Sequence, residues 1–597
     1  MTTSTDKINN ESFLYDFFCT EEKERVIIRK CDIHQPFRLP ITYVKKESLH
    51  SLSETVMDDL EYKTILSTIL TPENEECNSF GDLIKKEWYQ YSSDIHFLHD
   101  TQTILKSMKK DEKKKDSNHF FTIWDDVHDK HFLEKYYYME WPQLIQFNKS
   151  AKFLQCISIA NVLSPIISLF LPLFILLFPF LLLKLQGIPI TMSLYFQVLK
   201  ETARNHFIGK SMSSLESMSW DKIIYVIITL VIYILQIYQN TNTCIKYYHN
   251  VKNINNNLLF VKNYLKSTIT KMDEFVLQHQ SKITYQTFCQ DVQKHSNQLK
   301  PFLEELSVIT EFQHTFKKTS HVGYMLKCYH DILTNEIYTD SIRYSIGFEG
   351  YLENMMSISQ YLVEGKMNLA TFTFDNSKKT SIQKQFYPLN YNMETNNINM
   401  ENNIIITGPN ASGKTTLLKT TAINIILSQQ FGCGFYSSCI LQPYHHIHSY
   451  INIPDTSERD SLFQAESRRC KDILDTVNTF LKDRHFCIFD ELYSGTNPTE
   501  AIKAGYAFLS YLTKYDNVDF MLTTHYIDIC KKIHNENIKN IKNTKQIHNY
   551  KMKVDEKDDK LFYTYKMVKG ISKIQGAVHV LKEMGYPEEI VHSLHTK

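Results

Sequence analysis

The sequence predicts an α/β fold over residues 370–597, preceded by a mainly helical region that carries a two-span transmembrane hairpin. Three observations predict it. A β-branched run, Ile404–Ile406, leads into GPNASGKTT at Gly408–Thr416, so that a strand feeds a glycine-bearing loop and the loop opens a helix. Further on, a second apolar strand at His485–Phe489 delivers two adjacent carboxylates, Asp490 and Glu491. Two stretches, Phe153–Leu183 and Ile223–Ile245, contain no charged residue.

Residues 1–45 read as a polar, charged amino-terminal segment without a cleavable signal. Residues 46–150 read as a helical region, and Glu47–Met108 has the apolar spacing of packed helices. The run KSMKKDEKKK, Lys106–Lys115, interleaves acids with its lysines and reads as a solvated loop rather than a nucleic-acid patch. The aromatic-rich Tyr136–Ser150 fits a membrane interface or a packed turn equally.

Residues 151–245 form the expected hairpin, with spans at about 157–183 and 222–240. Roughly 20 apolar residues cross a bilayer core. Pro165, Pro172 and Pro179 are expected to kink the first span, and Trp220, Tyr225, Tyr233 and Tyr238 lie near the ends of the second or along it, as interfacial aromatics do. The alternative is a pair of buried core helices. Two spans return the chain to its starting side, so the amino-terminal region and the carboxy-terminal domain are expected to face the cytosol. Residues 246–369 carry long helical periodicity with few breakers and read as a lever or arm; Tyr344–Met367 is its last helix and Ala370–Phe374 a strand entering the next domain.

In residues 370–597 the chemistry is that of an ATPase. The loop Gly408, Pro409, Asn410, Ala411, Ser412, Gly413, Lys414, Thr415 and Thr416 meets the pattern in which backbone N–H groups and a helix N-terminus cradle phosphates. Lys414 reaches the β- and γ-phosphates, Thr415 and Asp490 hold Mg²⁺, and Glu491 orients the attacking water. A third strand, Val518–Leu522, runs into Thr523, Thr524 and His525, and His525 is placed to sense the γ-phosphate; elsewhere it would be an ordinary loop histidine. The expected cofactors are ATP and Mg²⁺.

GPNASGKTT, DSLFQAE at Asp460–Glu466, FDELYSGTNPTEA, TTHY at Thr523–Tyr526 and the closing YKMVKGISKIQGAVHVLKEMGYPEEIV together resemble the ATPase of the MutS family of DNA mismatch-repair proteins, an ABC-like P-loop domain. The resemblance covers roughly Phe386–Lys597. It implies that Asn410 contacts the phosphate environment, that Phe386 stacks on adenine, and that Ser461 closes on the γ-phosphate bound by a second subunit. It therefore implies a dimer, of this chain or with a paralogue, and DNA as partner. Glu47–Met108 resembles the MutS core on pattern alone. Ala411 and Ser412 stand where the family has methionine and glycine, and Arg459–Asp460 where it has Gly-Arg; an acid beside a phosphate contact implies slow turnover. The family's Phe-x-Glu mismatch wedge has no counterpart in context, since Phe132-Leu133-Glu134 and Phe302-Leu303-Glu304 match only the bare pattern.

Composition bounds the rest. Six hundred residues less three imply several domains, and 66 basic residues against 66 acidic ones remove global basicity as an argument for nucleic acid. The twelve cysteines form no C-x-x-C pair, which suits a reducing compartment. Two other classes stay open: a membrane transporter half with an ABC-type ATPase, against which stands the lack of an LSGGQ-like signature, and a nucleotide-controlled membrane scaffold that does not bind DNA.

Overall fold

The computed structural model describes residues 33–589 apart from 72–78, 109–116, 186, 188, 190, 206–219, 313–319, 375–378, 390–393, 452, 454–460, 540–544, 558–559, 575–580, 582–583 and 588. The chain divides into two compact units, one containing Asn118–Lys271 and Ser296–Ile342, the other Cys31–Ser117, Met272–His295 and Arg343–Lys597.

The second unit is built on a six-stranded sheet. Its strands are β6 (Asn403–Thr407), β9 (His446–Tyr450), β10 (His485–Asp490), β11 (Val518–Thr523), β12 (Ile547–Lys557) and β13 (Lys560–Lys569), in the order β13-β12-β6-β11-β10-β9. All neighbours are parallel except β12 and β13. Every residue of β6 and β11 is buried. Helices cover both faces of such a sheet, so its strands read as unbroken apolar runs, as Ile404–Ile406 does. Because β11 lies between β6 and β10, with Thr523 opposite both Ile406 and Asp490, three loops leave the sheet side by side at its carboxyl edge. A five-stranded sheet lies in the same unit. It comprises β3 (Asn368–Phe372), β4 (Ser381–Gln385), β5 (Asn396–Asn399), β7 (Cys433–Gly434) and β8 (Ser438–Leu441), in the order β5-β4-β8-β3-β7.

The helices of both units are, in chain order, α1 (Glu54–Asp59), α2 (Tyr62–Leu70), α3 (Ile95–Ser107), α4 (Ser117–Val127), α5 (Ala151–Leu185), α6 (Met192–Asn205), α7 (Trp220–His279), α8 (Gln286–Ser307), α9 (Val322–Thr334), α10 (Glu336–Val363), α11 (Lys414–Phe431), α12 (Leu462–Thr479), α13 (Pro498–Leu512) and α14 (Ile527–Lys539), with shorter turns between them. Glu47–Met108 is not wholly helical: β1 (Leu49–Ser51) and β2 (Gln90–Ser92) pair antiparallel within it.

That small sheet is fastened to the end of α11 by amides. Gln430, fully buried, donates to the carbonyls of Trp88 and Gln90 (3.1 Å to the latter) and receives the Tyr62 hydroxyl. Gln429 donates to Ser92 O at 3.1 Å and Tyr444 O at 2.8 Å and accepts from Tyr444 N at 2.8 Å. Gln102, on α3, donates at 2.7 Å to both Ala370 O and Gly432 O. Buried backbone carbonyls need donors, and these glutamines supply them. The described residues of 33–107 are thus packed into the same unit as β6 and α11.

In the other unit α5 and α7 run antiparallel in contact. Tyr247 Oη donates to Ser158 Oγ at 2.5 Å, Cys244 Sγ lies 3.7 Å from Val162 O, Asn240 donates to Ser168 Oγ, and Tyr233 Oη donates to Ser168 O at 2.9 Å. Gly323 of α9 rests directly on α5, where a Cβ would stand 2.3 Å from Ala151 O. Among the described residues one helical stretch, Ala151–Phe170, is long and apolar enough to cross a membrane, and 11% of its most apolar window is buried. The second expected span does not end near residue 240. It is the first part of the 60-residue α7, because no glycine or proline occurs between Trp220 and His279 to break the helix. Residues 109–115 of the lysine-rich run lie outside the described residues.

Replacing Gln430 by leucine leaves two buried carbonyls without donors. The expected loss is about 2–4 kcal/mol of stability, read as an earlier urea midpoint of the detergent-solubilised chain and as loss of amide protection at the end of α11.

Candidate functional site

The loop between β6 and α11 is shaped by two glycines. Gly413 caps α11 at φ +88°, a conformation a side chain resists, and a Cβ on Gly408 would come 2.8 Å from Ser412 Oγ. Ser412 Oγ donates to Pro409 O at 2.8 Å and closes the loop on itself; Asn410 and Ala411 are exposed at its tip, and Ala411 holds φ +60°. Thr416, half-buried, follows on the first turn of the helix.

Lys414 is buried, and its Nζ donates at 3.1 Å to both Gly408 O and Pro409 O. Burial holds its pKa below the usual lysine range, against the upward pull of Glu491 and Asp490. It is a cation held by neutral carbonyls at the mouth of a helix N-terminus, which fits an incoming phosphate.

Asp490 ends β10 and accepts two hydroxyls, Thr415 Oγ1 at 2.8 Å and Thr523 Oγ1. A threonine hydroxyl beside a carboxylate is a hard-oxygen pair suited to Mg²⁺, which keeps waters and substrate oxygens as its other ligands. Among the described residues no group of three or more His, Cys, Asp or Glu side chains is arranged to hold a metal alone. The residues present therefore fit Mg·ATP.

Glu491 follows at φ +55°, with its N–H donating to Thr523 O at 3.0 Å. Its Oε1 lies 2.8 Å from His525 Nε2, and that contact, more than any other, pulls its pKa down against the upward push of burial. The same Nε2 is 3.2 Å from Lys414 Nζ. One ring nitrogen cannot donate to a carboxylate and accept from an ammonium together, so with its proton on Nε2 the imidazole serves Glu491 and leaves Lys414 to the loop carbonyls. Ala411, Glu491 and Tyr493 all hold positive φ around this site, and such backbone costs about 1–3 kcal/mol each.

Ser461 lies apart from these contacts. It caps α12, accepting from Gln464 N at 3.3 Å while its own N–H donates to Gln464 Oε1 at 2.9 Å, and it is exposed. Arg459 and Asp460 are outside the described residues. Phe386 follows β4, half-buried, with its ring 5.7 Å from that of Phe435 and its N–H on Phe435 O.

Two residues of the site were not singled out from the sequence. Glu466 is buried and its carboxylate takes Ser494 Oγ at 2.9 Å and Gly495 N at 3.1 Å, tying α12 to the loop after Glu491. Its signal was available: it occupies the helical stripe that continues through Cys470, Ile473 and Val477, where an unpaired acid would be costly. Tyr565, on β13, brings its ring within 3.1 Å of where a Cβ on Gly413 would stand. Nothing local in the sequence announces that, because it depends on how β13 pairs.

This geometry defines the class: a P-loop domain in which the loop after β6 and the carboxylates Asp490 and Glu491 at the end of β10 flank the intervening parallel strand β11. Residues 404–597 match the family description MutS domain V. The chain is 31% identical over 196 residues to the DNA mismatch repair protein MutS of Bacteroides thetaiotaomicron and 32% over 192 residues to that of Parabacteroides distasonis, in each case 32% of this chain and 21% of the relative. It is 27% identical over 229 residues to that of Orientia tsutsugamushi, 37% of this chain and 24% of the relative. The match to MutS domain V covers the carboxy-terminal third of this chain, and the chain spans about a fifth of the length of the curated relatives it matches.

Glu491→Gln is expected to retain Mg·ATP while single-turnover hydrolysis falls about 100-fold or more. The hydrogen bond from His525 holds the Glu491 pKa below the ordinary carboxylate value, so in His525→Ala the acid limb of the pH–rate profile moves to higher pH; an unmoved limb would separate the two residues.

Proposed function

We propose that this chain is a membrane-anchored MutS-type ATPase that works as a dimer and couples Mg·ATP binding and hydrolysis to movement of its helical arms on DNA. The observation that carries the ATPase reading is the convergence of Lys414, Thr415, Asp490, Glu491 and His525, with Thr415 and Asp490 2.8 Å apart. On substrate binding, Lys414 exchanges loop carbonyls for phosphate oxygens and Glu491 aligns a water, with His525 holding its carboxylate in place. Mg²⁺ supplies charge neutralisation at the phosphates. Ser461 is exposed at a helix N-terminus, as a contact to nucleotide in a second subunit requires. DNA enters through the relatives, which are DNA mismatch repair proteins.

The membrane reading rests on register. Contacts set Ser158 against Tyr247 and Ser168 against Asn240, which places the charge-free Ile223–Ile245 opposite residues 160–182 of the charge-free run in α5. The shared stretch of 23 residues is about 34 Å of helix, close to the roughly 30 Å hydrocarbon core. Exposed Ile166, Ile167, Leu169, Ile227, Ile228 and Leu230 lie within it. A soluble helix pair would bury such a belt. Both spans then cross the bilayer, with the ATPase and the amino-terminal region on the cytosolic side.

Two measurements test this. The full chain is expected to stay with membranes through alkaline carbonate extraction; release into the supernatant contradicts anchoring. In nanodiscs its turnover is expected to rise several-fold with duplex, mismatched or branched DNA and to vanish in Lys414→Ala, whereas turnover indifferent to every DNA contradicts the coupling.

A further inference from the structure

A cavity of about 530 Å³ opens between β1, the start of α1, β9 and α12. It has the size of a small-molecule site, about 300–1,000 Å³. No residue of the phosphate loop lines it, nor do Asp490 and Glu491.

Its lining offers donors. Arg469 gives Nη1 to Ser449 O at 3.0 Å and lies 3.6 Å from Asp59, and among the described residues its Nε and Nη2 meet no acceptor. The hydroxyls of Ser51 and Thr55 are likewise without partners among the described residues. Four imidazoles complete the polar wall: His50 Nε2 is 3.0 Å from Ser93 Oγ, His445 Nδ1 accepts from Arg484 N at 3.1 Å, His446 Nε2 is 3.1 Å from Asp483 Oδ2, and His448 Nε2 3.1 Å from His485 Nδ1. Burial first, then their neighbours, hold His50 down to about 4 and His448 to about 3, so both are neutral at pH 7. Asp472 is the one acid of the lining, and it is exposed. Val56, Ile447 and Ile473 give the apolar surface.

Two ligand chemistries compete for such a wall. A transition metal needs several ligands that converge, and among the described residues no group of three or more His, Cys, Asp or Glu side chains is arranged to hold one. An oxyanion needs only donors, and arginine with hydroxyls is the commonest way to supply them. We infer that this cavity binds a small organic anion, its phosphate or carboxylate head on Arg469, Ser51 and Thr55 and its body against the imidazole and apolar faces. The occupant rests on α12, the helix that Ser461 caps.

The test uses the full chain in detergent with Lys414→Ala, so that the phosphate loop does not take the probes. AMP, pyrophosphate, citrate and adenosine are titrated calorimetrically, and hydrogen exchange locates the response. Saturable binding of AMP with Kd below about 1 mM is expected, with protection at residues 49–56 and 446–450. Arg469→Gln and Thr476→Phe, whose ring fills the cavity, are each expected to weaken it at least tenfold, while the isosteric Thr476→Val binds as its parent. Pyrophosphate binding as well as AMP assigns recognition to a phosphate head alone, and citrate binding in place of both assigns it to carboxylates. Adenosine binding as tightly as AMP, binding that survives Thr476→Phe, or no saturation by any probe overturns the inference.

Discussion

The candidate site depends on the register of three parallel strands. Thr523 stands opposite Ile406 on one side and Asp490 on the other, and from that alignment Asp490 meets the hydroxyls of both Thr523 and Thr415. A slip of one residue in β11 would turn Thr523 to the opposite face and carry His525 away from Glu491 and Lys414. The buried apolar faces of β6, β10 and β11 fix that register. The hydrophobic core and the chemistry are therefore set by the same pairing.

The amino-terminal residues act on this site from behind. The glutamines at the end of α11 saturate carbonyls of β2, while Asp59, at the end of α1, accepts Ser449 Oγ at 2.6 Å and Ile451 N at 3.3 Å. The phosphate-loop helix and the edge strand β9 are thus both held by residues remote in sequence. Glu466 adds a third restraint by holding the loop that follows Glu491. Such buried polar contacts give little net stability for their number, but they allow one arrangement of the elements they join.

The strand–loop–helix at Ile404–Lys419 and the acidic pair at Asp490 and Glu491 were legible because their chemistry is local: glycines where a Cβ would intrude, and acids where an apolar strand ends. The strand run and the hydrophobic stretches were legible from composition. The packing of β2 into the unit of the six-stranded sheet was not, since Gln430 reads as an ordinary helix surface residue until β2 arrives beside it. Nor was the length of α7 fully drawn, although the lack of any breaker from Trp220 to His279 is plain in the sequence; the charge at Lys246 invites a boundary that the backbone does not need. Phe386 illustrates the opposite case: a motif position identifies it, while its ring packs on Phe435.

The central claim, that these strand ends form one Mg·ATP site, is tested most directly by equilibrium binding of a fluorescent ATP analogue to the full chain with and without Mg²⁺. The account predicts saturable binding that is lost in Lys414→Ala and that loses its Mg²⁺ dependence in Asp490→Asn. Binding unaffected by either substitution would contradict it.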